Sequence, residues 1–206
     1  MPEPRDGVVT LLLAGGLGSR YRQEDDRDKL LVPSAGASSR PVLQASIETL
    51  QGLTERLVVV ARADNLPLCE QLQAWRRSWA FDVLAIRTRG LGHSLAQGVA
   101  ACSAARGWLV ALGDMPYVRR DTLATLVAHI ESDRLLLPVH DGQPGHPRGI
   151  GVRHRSALLA LDGDRGAQAL FTESPVLRLP VQDAGVLRDI DRPGDRTDRA
   201  SGQADG

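Results

Sequence analysis

Short, continuous apolar runs recur along the chain as far as residue 139, and amphipathic stretches of helical period separate them. The apolar runs cover residues 8–13, 57–61, 83–86, 108–112 and 135–139. Such runs are typical of strands buried on both faces of a parallel sheet. The helical stretches cover residues 41–50, 66–79, 94–105 and 121–130, with Pro41 at the start of the first and Asp121 as the expected N-cap of the last. This alternation predicts right-handed crossovers and an α/β fold with a doubly wound, mostly parallel sheet flanked by helices.

The pattern changes after about residue 140. Residues 141–149 are rich in Gly and Pro, which favour turns. We expect short strands over residues 151–155, 176–181 and 186–190, and short helices over residues 156–161 and 166–172. The chain is predicted to form a single domain over residues 1–200, followed by a disordered polar tail over residues 201–206.

Composition narrows the classes of partner. Hydrophobic residues make up 42% of the chain and aromatic residues only 3%, which disfavours a base-stacking surface for single-stranded nucleic acid. The 25 basic and 25 acidic residues balance, so no net field attracts nucleic acid or an anionic membrane. No apolar run approaches the ~20 residues that cross a bilayer, and the first residues have no apolar signal core. The lone Cys69 and Cys102 suit a reducing compartment, so we expect a cytoplasmic protein with no nucleic-acid or membrane partner.

A glycine-rich turn follows the first predicted strand. Gly15, Gly16 and Gly18 would let backbone N–H groups approach phosphate oxygens, and Arg20 could add a charge-assisted contact. The turn is not a P-loop, because the chain contains no GxxxxGK[ST] string. It is not a complete dinucleotide fingerprint either, because GLG is followed by no third glycine. A tight turn without a ligand is the alternative. An NAD-dependent oxidoreductase is disfavoured, because the second strand leads into Arg62 where an acidic ribose-binding residue is expected.

Several charged residues are candidates for the same site. Asp114 follows the run at 108–112, and ligands of open parallel sheets gather at the carboxyl ends of strands. Asp189 and Asp191 would share one face of the short strand predicted at 186–190, so a second carboxylate could meet Asp114 and complete a Mg²⁺ site. Lys29 follows a highly charged segment and is either solvated or in contact with phosphate. The alternatives for the aspartates are a helix cap and a surface turn.

One further candidate lies in the Gly/Pro loop. His146 could donate to a substrate phosphate, or it could be an ordinary surface residue of that loop.

Eight short motifs occur in a fixed order. They are LAGGLGSR at 13–20, KLLVP at 29–33, RPVL at 40–43, GHSLAQG at 92–98, LGDMP at 112–116, GHP at 145–147, LDGDRGA at 161–167 and DIDRP at 189–193. On these motifs the chain resembles the MobA-like nucleotidyltransferases, and within them the molybdenum cofactor cytidylyltransferases, over residues 8–198. The resemblance implies a Rossmann-like fold of the nucleotide-diphospho-sugar transferase type.

The resemblance also implies a role for each motif. Nucleotide binding falls to Leu13, Ala14, Gly15, Gly16, Gly18, Ser19, Arg20, Lys29, Gly92, Ser94 and Gly98. Catalysis falls to Arg20, Lys29 and Asp114, and Mg²⁺ binding to Asp114 and Asp191, with Asp189 as a further candidate. The acceptor would lie against His146 and Pro147.

Two departures from the family pattern affect the glycine loop. Tyr21 and Arg22 replace the usual Met-Gly, and Lys29 lies nine positions after Arg20 where the family has five or six. The intervening run contains Glu24, Asp25, Asp26 and Asp28. Either this segment bulges into solvent, or Lys29 does not perform the family's task. The LAGG string is typical of guanylyl members and the later motifs of cytidylyl members, which leaves CTP and GTP open. A third departure lies at the DIDRP motif, where Arg192 replaces the usual Thr.

These inferences predict a Mg²⁺-dependent nucleotidyltransferase. It would move a nucleoside monophosphate from CTP or GTP to a phosphate-bearing acceptor, molybdopterin above all, and release pyrophosphate. The resemblance implies a molybdoenzyme client or its chaperone as a further partner. The alternatives are transfer to a sugar phosphate or polyol phosphate, and a non-catalytic protein that binds or chaperones the molybdenum cofactor.

Overall fold

The computed structural model describes residues 5–34 and 40–196, so the tail predicted over 201–206 lies outside the described residues. The strands are β1 Arg5–Ala14, β2 Thr54–Arg62, β3 Asp82–Ile86, β4 Gly107–Leu112, β5 Leu135–His140, β6 Gln143–Pro144, β7 Arg148–Gly151 and β8 Val176–Pro180. The helices are α1 Ser19–Arg22, α2 Val42–Leu50, α3 Leu66–Trp75, α4 Leu91–Ala101, α5 Arg120–Ala128, α6 Arg155–Leu159 and α7 Gln168–Glu173. Within the described ranges, no helix combines the length and apolar character needed to span a membrane.

The strands form one sheet in the order β3-β2-β1-β4-β7-β5-β6, and β8 pairs with β5. β1 is parallel to β2 and to β4, β2 is parallel to β3, and β5 is parallel to β8. β7 is antiparallel to both β4 and β5. β6 is also antiparallel to β5. The predicted α/β fold with a mostly parallel sheet flanked by helices is therefore confirmed, and the antiparallel β6 and β7 make the sheet mixed.

Both faces of the central strand are covered. Leu12 belongs to an apolar cluster that includes side chains of α2, α3 and α5, while Leu11 and Leu13 belong to a second cluster that includes α4, α6 and α7. Gly98 allows α4 to pack closely on the sheet, since a Cβ there would lie 3.2 Å from Leu11 and 3.3 Å from Val60. This double burial is the physical reason why the strand reads as a continuous apolar run.

Two predicted strands were wrong. Residues 152–154 of the expected strand at 151–155 form a 3-10 helix, and β7 lies earlier, at Arg148–Gly151. In place of the strand at 186–190, a 3-10 helix covers Ala184–Leu187, and the Asp183 carboxylate caps it by accepting from Gly185 N–H at 2.9 Å. A side-chain cap of this kind competes with strand hydrogen bonding, and apolar alternation alone does not detect it.

Helix starts were also displaced. Arg119, not Asp121, is the N-cap of α5, and Asp121 lies in the first turn, where its carboxylate accepts from Thr122 N–H at 2.9 Å. Pro41 is the N-cap of α2 and not its first residue. α4 begins at Leu91, three residues earlier than predicted. Its first N–H groups, those of Gly92 and His93, donate to the Gly163 carbonyl at 2.9 and 3.3 Å, a tertiary cap that no local pattern reveals.

Candidate active site

One cleft opens at the carboxyl ends of β1 and β4. It has a volume of about 560 Å³. The glycine loop, the segment after β3, the start of α4 and the end of β4 all contribute to it. Its lining residues are Leu13, Gly15, Gly16, Leu17, Ser19, Arg62, Thr88, Arg89, Gly90, Leu91, Ser94, Leu112, Asp114 and Asp164. Residues predicted from three separate motifs therefore share a cavity, at the edge where an open α/β sheet binds ligands.

A charged network joins residues from the two ends of the chain at this edge. Lys29 Nζ donates to Asp114 Oδ2 at 2.7 Å and to Asp191 Oδ1 at 3.1 Å. Arg20 Nη1 donates to Asp191 Oδ2 at 2.6 Å. The structure thus brings together the four residues predicted for catalysis and metal binding. The Lys29 side chain is only 9% exposed, and it is the chain's only lysine among 25 basic residues.

Asp191 reaches this network from a turn and not from the strand that the sequence predicted. Ile190, which is fully buried, donates its N–H to the Asp114 carbonyl at 2.9 Å. The Asp195 carboxylate accepts from the N–H groups of Asp191 and Arg192 at 3.1 and 2.7 Å. The buried apolar anchor and the carboxylate-capped turn hold Asp191 beside Asp114.

The pKa values of Asp191 and of the nearby Asp189 are shifted in opposite directions. Burial by itself would raise the pKa of Asp191, but hydrogen bonds from Lys29 and Arg20 outweigh it and hold the pKa below its usual value. Burial, followed by the charges of Asp191 and Asp114, raises the pKa of Asp189. Burial opposes the charged form of Lys29, and the two carboxylates still raise its pKa. The three aspartates therefore concentrate negative charge at this site, and the cations of Arg20 and Lys29 partly neutralise it.

The donor set fits a hard divalent cation. Asp114 Oδ1 is buried and accepts no hydrogen bond from any described residue. Such an oxygen carries a desolvation penalty that a cation would remove. No cluster of three or more His, Cys, Asp and Glu side chains placed for a metal occurs among residues 5–34 and 40–196. An arrangement of two carboxylates suits Mg²⁺, which usually takes one or two carboxylates together with substrate phosphates.

Two acidic side chains of the segment before Lys29 form ion pairs. Glu24 pairs with Arg192 at 2.8 Å, and Asp25 pairs with Arg27 at 2.6 Å. Tyr21, fully buried in the apolar cluster below, anchors the start of the segment. Residues 22–24, 26 and 27 are exposed, so the segment bulges into solvent, which is one of the two alternatives posed by its length. After the bulge, Lys29 contacts Asp114 at the edge of the cleft.

Asp28 ties the end of this bulge to α3. Its carboxylate accepts from Leu30 N–H at 2.9 Å and from Asn65 Nδ2 at 2.6 Å. Asn65 is also the N-cap of α3, where its Oδ1 accepts from Leu68 N–H. One side chain therefore caps a helix and positions the residue that precedes Lys29.

Replacing Asn65 should separate these two tasks. Asn65→Ala is expected to lower the free energy of unfolding by about 1 kcal/mol through the lost cap. Asn65→Asp keeps an acceptor for Leu68 but sets a carboxylate against Asp28, so it should weaken nucleotide binding with a smaller loss of the cap. Urea unfolding and nucleotide titration measure the two effects. Unchanged nucleotide affinity in Asn65→Asp would show that the bulge holds Lys29 without this contact.

Some of the other residues predicted to bind the nucleotide line the cleft, and others do not. Gly15 and Ser94 face each other, since a Cβ on Gly15 would lie 3.0 Å from Ser94 Oγ. A Cβ on Gly18 would lie 3.6 Å from the Lys29 side chain. Ala14 and Gly18 are not among the lining residues, and Gly92 and Gly98 do not line the cleft either, because the first lies under Arg165 and the second packs on the sheet.

Sequence reasoning missed four polar residues of this cleft, Arg62, Thr88, Arg89 and Asp164. Arg62 and Arg89 pair with Asp64 and Asp162, respectively. Thr88 lines it and shares a 2.7 Å hydrogen bond between its hydroxyl and that of Ser94. Asp164 lines it from the loop that covers the start of α4. Thr88 follows β3 closely, so attention to every strand end would have found it. Asp164 becomes visible only when the loop is folded over Gly90, where a Cβ would come within 2.2 Å of its carboxylate.

The GHP motif lies beyond the cleft lining. His146 donates its N–H to the Val186 carbonyl at 2.9 Å, and its peptide bond to Pro147 is cis. Pro147 packs in a small cavity with Leu112 and Met115, next to the end of β4. Burial, with a smaller contribution from Arg148, lowers the pKa of His146 to about 4. His146 is therefore neutral near pH 7, able to donate or accept a hydrogen bond but not to supply positive charge.

Comparison with known sequences and folds gives a consistent result. The chain matches the model of the MobA-like NTP transferase domain over residues 10–178. It is similar to the bifunctional protein GlmU of Marinobacter nauticus, with 31% identity over 150 residues that cover 72% of this chain and 31% of that protein. The chain thus spans about a third of the length of this relative.

Solved structures show the same fold. Rv0371c from Mycobacterium tuberculosis H37Rv has a TM-score of 0.75 at 23% identity, over 91% of this chain and 95% of that one. Its complex with manganese has a TM-score of 0.67 at 22% identity, over 84% and 88%. Molybdopterin-guanine dinucleotide biosynthesis protein A from Archaeoglobus fulgidus has a TM-score of 0.61 at 19% identity, over 92% and 94%. Since the family model covers most of its length, the chain belongs to the MobA-like NTP transferase domain family.

Proposed function

We propose that this protein transfers a nucleoside monophosphate from CTP or GTP to a phosphate-bearing acceptor and releases pyrophosphate, with Mg²⁺ as cofactor. The observation that carries the proposal is the network of Arg20, Lys29, Asp114 and Asp191 at the edge of a cleft that begins at the glycine loop. Cations for phosphate, carboxylates for a metal and a cavity for a nucleotide thus lie together.

The chain's own groups would act by position and charge. Backbone N–H groups of the glycine loop would hold the β- and γ-phosphates, and Arg20 and Lys29 would turn from the aspartates to phosphate oxygens. Asp114 and Asp191 would hold Mg²⁺, which when bound supplies charge neutralisation at the transferred phosphoryl group. An acceptor phosphate oxygen would attack the α-phosphorus in line, and the bond from that phosphorus to the bridging oxygen of pyrophosphate would break.

The proposed reaction needs no general base from the protein. A phosphate monoester has its second pKa near 6, so the attacking oxygen is already deprotonated at neutral pH. This is consistent with the absence of an imidazole from the lining of the cleft within the described residues. The nucleobase would lie at the other end of the cleft, beside Thr88, Ser94 and Asp164.

Molybdopterin is the acceptor that we favour. The support is the resemblance of the GHP, LDGDRGA and DIDRP motifs to molybdenum cofactor enzymes, together with the fold shared with the Archaeoglobus protein. The similarity to GlmU supports the same class of transfer with another phosphate-bearing acceptor as the rival. A client molybdoenzyme belongs only to the first alternative.

A panel of the four ribonucleoside triphosphates tests the proposal. At ~100-fold over its Kd, the true substrate should stabilise the protein by about 2–3 kcal/mol in thermal unfolding, with less effect when EDTA replaces Mg²⁺. Pyrophosphate release with that triphosphate is then measured with and without molybdopterin. Binding of CTP or GTP without release under any acceptor would favour a non-catalytic protein, and stabilisation by none of the four would refute the proposal.

A further inference from the structure

Arg148 is a cation set into the apolar side of the sheet. In β7 it pairs with Val110 of β4, and paired residues of antiparallel strands point to the same face. That face carries the apolar cluster to which Val110 and Phe171 belong. The guanidinium lies over the Phe171 ring at 4.8 Å, and its Nη1 donates to Gln168 Oε1 at 2.8 Å. α7 therefore fixes the orientation of this side chain.

One edge of the guanidinium has no partner among residues 5–34 and 40–196. The Nε atom is buried and donates to no described residue, and none of those residues accepts from Nη2. Burial lowers the pKa of Arg148, and no carboxylate offsets that burial. The Nε and Nη2 hydrogens point the same way and form a fork that matches two oxygens of a phosphate or carboxylate. Nε is buried and no carboxylate partners this half-buried side chain, so leaving the fork empty carries a cost in stability, which suggests a bound anion as its use.

His146 precedes Arg148 by two residues in the chain. Pro147, between them, lines a small cavity together with Leu112, which also lines the active-site cleft. His146 Nδ1 is buried and hydrogen-bonds to no described group. The positive charge of Arg148 contributes to the lowered pKa of His146, so the guanidinium acts electrostatically on this ring. A neutral imidazole next to a guanidinium can add a hydrogen bond to the same bound group without a charge.

The distance from Asp114 separates this subsite from the triphosphate. Arg148 pairs with Val110, four residues before Asp114, which at about 3.3 Å per residue places the two roughly 13 Å apart along the strand. The triphosphate would lie at the glycine loop, on the opposite side of Asp114 from β7. A group bound by Arg148 would therefore belong to the second substrate.

We propose that Arg148 and His146 form an anion-binding subsite that selects acceptors with an anionic oxygen group remote from the phosphate that reacts. This inference rests on the proposed function for the identity of the second substrate. It adds an acceptor-specificity determinant, because binding energy from a remote group orients the acceptor for reaction. Arg148 supplies the charge of the subsite, His146 supplies a neutral hydrogen-bonding group, and Gln168 positions the guanidinium.

Inorganic phosphate and acetate serve as probes, read by the ring-proton NMR signals of the five histidines. His146→Gln assigns the His146 signal. Because that ring stays neutral between pH 6 and 8, a change in its signal reports binding and not titration. We expect phosphate to move the His146 signal in the wild type and in Arg20→Met, which alters only the glycine-loop end. A response to acetate at similar concentrations would indicate a remote carboxylate rather than a phosphate.

The decisive variant is Arg148→Met, and its matched control is Arg153→Met at an exposed position. Arg148→Met should raise the phosphate Kd at least about tenfold, equivalent to one lost charge-assisted contact. It should also unfold at the same or a higher temperature, because it removes a half-buried charge that no carboxylate offsets. Arg153→Met should do neither.

Two outcomes overturn the proposal: an unchanged phosphate response in Arg148→Met, or an Arg148→Met protein that unfolds at a lower temperature, since that would make Arg148 a structural residue. Arg148→Lys, which keeps the charge but lacks the fork, should bind phosphate more weakly than the wild type. The nucleotide panel remains independent of these results, because loss of the subsite leaves stabilisation by CTP or GTP with Mg²⁺ intact. Failure of the panel with a retained phosphate response would refute the proposed function alone.

Discussion

Asp114→Ala is expected to lower the rate of pyrophosphate release at least about 10³-fold, the scale on which transition-state charge stabilisation acts. Asp114 offers a buried Oδ1 with no hydrogen-bond donor among the described residues, at the end of a central strand. Its loss removes the best-placed oxygen for Mg²⁺. The fold should survive, because Lys29 keeps Asp191 as an acceptor at 3.1 Å.

The rate is measured at saturating triphosphate, and the affinity for Mn²⁺ is measured separately by electron paramagnetic resonance. Asp114→Asn, which keeps the shape and loses the charge, should fall nearly as far in rate. Asp133→Asn alters an exposed aspartate and should match the wild type in both measurements. An Asp114→Ala protein that transfers nucleotide at the wild-type rate would rule out this residue as the metal ligand.

Lys29→Met is expected to change two affinities in opposite directions. Triphosphate binding should weaken by about 10- to 100-fold, because a charge-assisted contact contributes roughly 1.5–3 kcal/mol. Binding of Mn²⁺ without nucleotide should become tighter, because Lys29 Nζ now lies between Asp114 and Asp191 at 2.7 and 3.1 Å and competes for their oxygens. Lys29→Met should also lose about 2 kcal/mol of stability at pH 7, below the range for a fully buried pair because Asp191 keeps Arg20.

The loss of stability should depend on pH. In the wild type the folded-state pKa of Asp191 is depressed, so its contribution is present above its unfolded pKa near 4 and disappears as the pH falls through the lower folded value. Lys29→Met raises that folded pKa, so the gap to the wild type should be wide at pH 7 and narrow at pH 3. Arg27→Met, which breaks an exposed pair with Asp25, is the control and should show little gap at pH 7.

Urea unfolding at the two pH values measures the gap, and isothermal titration measures the affinities. Since Lys29 is the only lysine, ¹⁵N-lysine labelling follows its amine alone, and addition of triphosphate should shift that signal. A lower Mn²⁺ affinity in Lys29→Met would contradict competition between the amine and the metal. The contact between Lys29 and phosphate is tested separately, by the triphosphate titration.

The parallel part of the fold could be predicted because a strand that is buried on both faces has a continuous apolar sequence. The apolar runs at 8–13 and 108–112 match β1 Arg5–Ala14 and β4 Gly107–Leu112 closely. After about residue 140 the chain no longer alternates between apolar runs and helical stretches, so β7 and the 3-10 helix at Ala184–Leu187 were missed. The conformation of β7 depends on its pairing with β4, which is a tertiary contact, and the 3-10 helix depends on the local Asp183 cap, which apolar alternation does not detect.

The features of the candidate site can likewise be separated into those set by the sequence and those set by the tertiary structure. The sequence by itself determined which residue types were available: glycines after the first strand, Arg20, Lys29, and aspartates at 114 and 191. It also identified the family through short motifs in order. Only the tertiary structure decided that Lys29 contacts Asp114 after the acidic bulge and that Asp191 lies on a turn. It also decided that the Nε of Arg148 is buried without an acceptor among the described residues. The physical reason is that type and local order are encoded along the chain, while the partner of a charge is set by groups up to 171 residues away.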